Sequence, residues 1–223
     1  MERLEIDEID QKGAVYLSSI VENFPALKEL DLSFGFDFVR DDKTDAFRDF
    51  IDPNFKVQLP EAAKKEISVQ LQMEIDQQKQ LETFAALKNL DCLEIHGLNQ
   101  KGLAYLSLAT SDLLTAKRLE ISFKLEPYWD NPVGTWRYDI DLDFKLPLQQ
   151  VEEIEIHLQP EFDQEKQLRM FAPMNHFKHL RVFGLNRAGA TYLNSIAKDL
   201  PVDTRVQFGV GEEKIELLRP MKR

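Results

Sequence analysis

Acidic side chains recur at one place in the chain's apolar rhythm. Carboxylates so placed suit two kinds of chemistry, acid–base catalysis or capture of a cationic partner. The rhythm is Leu-x-x-Leu-x-Leu, and the residue between its last two apolar positions faces away from them. Read through successive copies, that residue is Glu5, Asp31, Ser68, Glu94, Glu120, Glu155, Arg181 and Gln207. The residue two places earlier is Arg3, Glu29, Glu66, Cys92, Arg118, Glu153, His179 and Arg205. If the copies are neighbouring strands, about 4.8 Å apart, the middle of the sheet carries a ladder of carboxylates softened by Arg118. Like charges opposite one another cost stability. Such a ladder is either the solvated side of a sheet or a docking face for a basic partner.

Other candidates are weaker. Asp139, Asp141 and Asp143 lack the glycine and the closing glutamate of a calcium loop, and Ile140 and Leu142 between them suit a strand. His96, His157, His176 and His179 show no zinc spacing; His96 and His157 hold equivalent positions two strands apart, too far to share an ion. Cys92 has no companion cysteine. Neither a glycine-rich phosphate loop nor a Gly-x-Ser-x-Gly elbow is present. No catalytic, metal-ligating or cofactor-binding residue is therefore expected, and no cofactor is implied. The aromatics Tyr128, Trp129, Trp136 and Tyr138 suit either an interface, where Trp and Tyr dominate binding energy, or packing against the parent sheet.

Composition narrows the partner. A net charge of −11 and a pI near 4.9 argue against nucleic acid and anionic membrane, which need clustered Lys and Arg. They suit a basic protein. The 223 residues are 43% hydrophobic, ample for a sizeable core. A single cysteine forbids an internal disulfide and points to a reducing, cytoplasmic setting. The first residues, Met1-Glu2-Arg3-Leu4, do not open a signal peptide, and no apolar window is long enough for a membrane span.

The positioning elements come from a repeat of about 87–89 residues. Leu93-Glu94-Ile95-His96-Gly97-Leu98-Asn99, with Gly102, Tyr105 and Leu106, returns as Leu180-Arg181-Val182-Phe183-Gly184-Leu185-Asn186, with Gly189, Tyr192 and Leu193. A weaker copy holds Leu4, Ile6, Ile9, Asp10, Gly13, Tyr16 and Leu17. Period-two alternation marks strands centred near residues 6, 32, 69, 95, 121, 156, 182 and 207. Helices fall between most of them. Asp76 and Asp163 are placed to cap helices whose inner faces hold Leu81, Phe84, Ala85 and Leu87 in one and Leu168, Phe171, Ala172 and Met174 in its copy. Asn99, Asn186 and Asp10 are caps for the next helices, and the tyrosines, in register with the repeat, read as structural. Two insertions interrupt the pattern. Phe38–Pro60 reads as a polar loop. Glu126–Pro147 has turn chemistry at Asn131–Gly134, and Tyr138–Phe144 reads as an extra strand.

Leu-x-x-Leu-x-Leu, together with Gly-Leu-Asn and a later glycine, resembles the leucine-rich repeat of the ribonuclease-inhibitor-like type. The usual Asn or Cys after the strand is missing at most units. The resemblance implies an α/β solenoid of about eight parallel strands alternating with helices, with two insertions. It would form a single repeat domain over 1–223, with internal repeats near 1–63, 64–150 and 151–223. An open α/β sheet grown by duplication is the alternative fold. The expected function is a non-enzymatic protein-binding module, most concretely an inhibitor or immunity-type protein. Its partner-binding residues would be Glu5, Asp31, Glu94, His96, Glu120 and Glu155 on the sheet, with Trp129 and Trp136 in the second insertion. The alternative is a structural or adaptor fragment: the chain opens directly into repeat residues, which suits oligomerisation through uncapped solenoid ends.

Overall fold

The computed structural model describes residues 2–20, 27–35, 39–40, 47–48, 56–57, 64–72, 76–85, 87, 89–108, 116–126, 128–130, 135–137, 145–201 and 203–208. Strands run over Arg3–Ile9 (β1), Glu29–Phe34 (β2), Val39–Arg40 (β3), Phe47–Arg48 (β4), Lys64–Gln70 (β5), Cys92–Leu98 (β6), Arg118–Phe123 (β7), Tyr128–Asp130 (β8), Thr135–Arg137 (β9), Glu153–His157 (β10), His179–Leu185 (β11) and Asp203–Phe208 (β12). Helices cover Gln11–Ile20 (α1), Gln77–Glu82 (α2), Gln100–Leu108 (α3), Gln164–Arg169 (α4) and Arg187–Ser195 (α5).

The eight alternating segments form one open parallel sheet in the order β1-β2-β5-β6-β7-β10-β11-β12. Strands are added in chain order, so the chain advances along the sheet without doubling back. Parallel neighbours need crossovers, and helices supply several of them, giving an α/β fold. The inward residues line up across the sheet. Leu93, Ile95, Leu119, Ile121 and Ile156 are 0% exposed, each contributing roughly 1.5–3 kcal/mol by burial. Among the described residues no helix is long and apolar enough to cross a membrane.

Three kinds of unit alternate. The first is a strand with a register shift followed by a longer helix: β1–α1, β6–α3 and β11–α5. The second is a plain strand: β2, β7 and β12. The third is a strand and a six-residue helix: β5–α2 and β10–α4. The packing repeats too. Phe34 meets Phe84 edge-on at 5.0 Å, and Phe123 meets Phe171 at 6.1 Å. The expected caps are present. Asp76 accepts from the Gln78 N–H at 2.9 Å and Asp163 from the Lys166 N–H at 3.1 Å. Asp10, Asn99 and Asn186 accept from the N–H groups of Gly13, Gly102 and Gly189.

The third units carry a feature that apolar patterning does not reveal. Gln77, Gln80, Gln164 and Gln167 are 0% exposed. Gln77 donates to the Gly97 carbonyl and accepts from the Asn99 N–H, both at 2.8 Å. Gln164 does the same with Gly184 and Asn186, at 2.8 and 2.7 Å. Gln80 and Gln167 clamp both backbone groups of Gln72 and Gln159. Each amide satisfies backbone groups that burial would otherwise orphan.

Several expectations need correction. Phe84 and Phe171 follow α2 and α4 rather than lying within them, because the helices stop at Glu82 and Arg169. Tyr105 and Tyr192 are half-buried against the core, whereas Tyr16 is 66% exposed. The first insertion contains a short antiparallel ladder, β3 with β4, where a polar loop was expected. In the second, β8 pairs with β9 and Trp129 lies in register with Trp136. Asn131–Gly134 and the run Tyr138–Phe144 lie outside the described residues.

Candidate functional site

The outward face of the sheet carries the candidate residues, but in two rows rather than one. Glu5 pairs with Asp31, and Asp31 with Glu66 rather than Ser68. That row continues through Cys92, Arg118, Glu153, His179 and Asp203. The second row holds Ser33, Ser68, Glu94, Glu120, Glu155, Arg181 and Arg205, so Arg205 and not Gln207 follows Arg181. Glu5 and Asp31 therefore do not extend the Glu94–Glu120–Glu155 row. The cause is a mismatch between pattern spacing and pairing register. Asp31 and Ser68 are 37 residues apart, but paired residues on β2 and β5 lie 35 apart, as they do on β7 and β10; paired residues on β11 and β12 lie 24 apart, against 26 on β6 and β7. A slip of two keeps every side chain on its own side of the sheet while changing its neighbours.

Much of the charge on this face is balanced locally. Arg3 reaches Glu5 at 3.1 Å, Asp31 at 3.6 Å and Glu29 at 3.8 Å. Arg118 lies 3.4 Å from Glu66, and Arg181 3.3 Å from Glu155. Exposed pairs of this kind contribute about 0–1 kcal/mol each. The balance is incomplete at Asp31. Partial burial first, then Glu66 and Glu5, push its carboxyl above its ordinary value.

At the centre, Glu94, Glu120 and Glu155 stand in register on β6, β7 and β10, all half-buried. One step along these strands lie His96, Ser122 and His157. Arg181 reaches Glu155, and histidines stand beside all three carboxylates. His96 Nε2 lies 3.6 Å from Glu94, and that imidazole is the main reason the Glu94 carboxyl sits below its ordinary value. His157 Nε2 lies 3.2 Å from Glu120 and 3.1 Å from Glu155. Glu120 foremost holds the His157 imidazolium above its ordinary value, against partial burial. The His157 ring stacks on Phe183, with centroids 4.7 Å apart and planes 9° from parallel. Ser122 Oγ lies 3.4 Å from His96 Nδ1, longer than the roughly 2.6–3.2 Å reach of a poised general base.

The remaining candidates fall elsewhere. Trp129 and Trp136 belong to the β8–β9 hairpin, a separate sheet. Cys92 lies on the outward face but is buried beside Arg118, whose Nε donates to its sulfur at 3.0 Å. Burial still pushes the thiol up to about 11, which leaves it a poor nucleophile at neutral pH. His157 was not among the expected site residues. Its signal was Glu155-x-His157, which places a carboxylate and an imidazole on one side of a strand, and Glu120 across the ladder completes the group. Glu120, Glu155 and His157 each offer a donor atom within 4.8 Å of the others; among the described residues this is the set with metal-ligand geometry.

Comparison with known proteins places no family name on this arrangement: no family model, curated protein or solved structure matches the chain.

Proposed function

We propose that this chain is a non-enzymatic protein-binding module, of the inhibitor or immunity type, that captures a basic protein on the outward face of its sheet. The observation that carries this reading is the Glu94–Glu120–Glu155 row. Three carboxylates stand in register on adjacent strands, with His96 beside Glu94, His157 between Glu120 and Glu155, and Arg181 against Glu155 alone. A Lys- or Arg-rich surface would supply the missing positive charge and relieve the repulsion along the row. A solenoid of leucine-rich-repeat type is part of the proposal. Paired residues lie 26 apart at four junctions, Leu4–Leu30, Ile67–Leu93, Leu93–Leu119 and Ile154–Leu180, as a repeating unit requires. The lone, unpaired Cys92 favours a reducing, cytoplasmic setting.

A second reading, a structural or adaptor unit in a larger assembly, is favoured by one observation. β1 is an edge strand, and α1 beside it exposes Val15 and Tyr16.

The test is charge reversal. The double variant Glu94→Lys with Glu120→Lys should bind basic nucleases or toxins far more slowly than the parent at low salt. The difference should shrink as salt rises, since screening acts over about 8–10 Å. A basic partner captured equally well by the variant at low salt removes this face from consideration and makes the Trp129–Trp136 hairpin the better candidate.

A further inference from the structure

Glu120, Glu155 and His157 converge on one point of the sheet face. Glu155 and His157 are two residues apart on β10, so both project outward, and Glu120 on β7 is the ladder partner of Glu155. His157 Nε2 is 3.2 Å from Glu120 Oε1 and 3.1 Å from Glu155 Oε1. Ligands held about 2.0–2.2 Å from a zinc-like ion lie roughly 3.0–3.5 Å from one another, so these separations are those of neighbouring positions in a coordination shell. Both contacts use the same ring nitrogen, the atom whose lone pair would bind an ion once its proton leaves.

The surroundings hold these groups in place. Phe183 stacks flat against the His157 ring, and Arg181 takes the second oxygen of Glu155 at 3.3 Å, leaving Oε1 directed at the cluster. Such supporting contacts orient metal ligands. An independent observation comes from the internal repeat. One repeat earlier, Ser68 and Gln70 occupy the positions of Glu155 and His157. The fold does not need a carboxylate and an imidazole there, so the cluster is a local departure from the repeated scaffold. Arg181 balances one of the two carboxylates from outside the cluster, and the like charges of Glu120 and Glu155 on adjacent strands still repel across the point where the three donor atoms meet.

We infer that Glu120, Glu155 and His157 form a surface site for one divalent first-row transition-metal ion, with zinc the best match. One imidazole nitrogen and two carboxylates suit zinc or its neighbours better than calcium or magnesium, which favour all-oxygen shells. The half-buried position leaves the remaining coordination positions to water or to a group from outside. The alternative occupant of the same point is a proton on His157, which metal binding would release. This inference stands apart from the docking proposal and does not depend on it.

The experiment titrates metal-stripped chain with Zn(II) by calorimetry in two buffers of different ionisation enthalpy, and with Co(II) by visible absorption. One ion per chain should bind saturably in the micromolar range with proton release. The variants Glu155→Ser and His157→Gln copy Ser68 and Gln70, which the same scaffold accommodates, so they are expected to fold. Each should weaken binding by roughly tenfold or more. His96→Gln, outside the cluster, should leave it unchanged. Circular dichroism verifies the fold of each variant, and Glu120→Gln provides a further removal of a ligand. Absence of saturable binding by the parent chain, or binding that survives all three cluster substitutions, overturns the proposal.

Discussion

The unit β1–α1 and the units β6–α3 and β11–α5 share a strand with a register shift, an Asp or Asn cap and a helix, yet only the later two are locked to a preceding unit. In β6 and β11 the shift is made by Gly97 and Gly184, at φ +78° and +73°. A Cβ at Gly184 would lie 2.5 Å from the Leu158 carbonyl oxygen, and one at Gly97 3.0 Å from that of Leu71. In β1 the same place holds Glu8 at φ +55°. A side chain fits there because, among the described residues, β1 is the outermost strand of the sheet. Likewise Gly102 and Gly189 are crowded by Gln77 and Gln164, while a Cβ at Gly13 would meet only its own unit, Ile9 and Asp10. The difference separates what each copy inherits locally, its strand, cap and helix, from what a neighbour imposes, its glycines and glutamine clamps.

The largest expected effect comes from making a later unit resemble the first. Gln164→Ala strips the clamp from β11–α5 and leaves the Gly184 carbonyl and the Asn186 N–H without their partner. Unsatisfied buried groups cost about 1–3 kcal/mol each, so the loss should be roughly 2–5 kcal/mol, read from urea midpoints at unchanged slope. Gly189→Ala should cost much less in this background than alone, because the Gln164 oxygen it would strike is gone. A loss below about 1 kcal/mol for Gln164→Ala would show the clamp to be incidental.

Gly184→Ala comes next. It combines a left-handed backbone, costing about 1–2 kcal/mol for an L side chain, with a contact against main chain that cannot swing away. A loss of about 3 kcal/mol is expected, against almost none for Glu8→Ala, which already has a Cβ. Equal effects at the two sites would break the comparison between edge and interior.

The tyrosines give a smaller contrast. Tyr192 is half-buried, with the Arg169 guanidinium 5.7 Å from its ring centre, and α5 packs beside α4. Tyr16 has no such helix beside it among the described residues and is 66% exposed. Complete truncation of a buried aromatic costs about 3–5 kcal/mol, so a half-buried one should cost about 1–3 kcal/mol. Thermal or urea melts should therefore show a clear loss for Tyr192→Ala, and for Tyr16→Ala a change within about 0.5 kcal/mol.

The same division explains what was legible in the sequence. All eight sheet strands and the caps at Asp10, Asp76, Asn99, Asp163 and Asn186 follow from local pattern, since alternation and capping need only nearby residues. The rows were legible as a face but not as neighbours. A two-residue difference between pattern spacing and pairing register leaves Asp31 and Ser68 outward yet sets Asp31 beside Glu66. The glutamine clamps were hidden because a polar residue on a short helix usually faces water, and nothing local marks Gln77 or Gln164 as buried. The Glu120–Glu155–His157 cluster required the ladder register as well as the strand pattern, because Glu120 lies 35 residues before its partner. In the second insertion the sequence pattern offered turn chemistry at Asn131–Gly134 flanked by aromatics and a strand at Tyr138–Phe144, both outside the described residues, whereas the β8–β9 pairing that sets Trp129 opposite Trp136 was not read from it.

Glu8→Gly asks whether the first unit merely tolerates its left-handed residue or depends on it. A non-glycine residue in this region typically carries a cost of about 1–3 kcal/mol. Glycine would relieve it but lose about 0.5–1 kcal/mol more conformational freedom on folding. The two effects oppose, and with φ at +55°, inside the shallow left-handed well, the strain is at the low end. A net gain of about 0.5 kcal/mol is expected, visible as a small rise in the urea midpoint. A clear loss would mean that the Glu8 side chain makes a stabilising contact of its own. The edge would then be a specialised end, and β1–α1 could not be read as an ordinary unit lacking its neighbour.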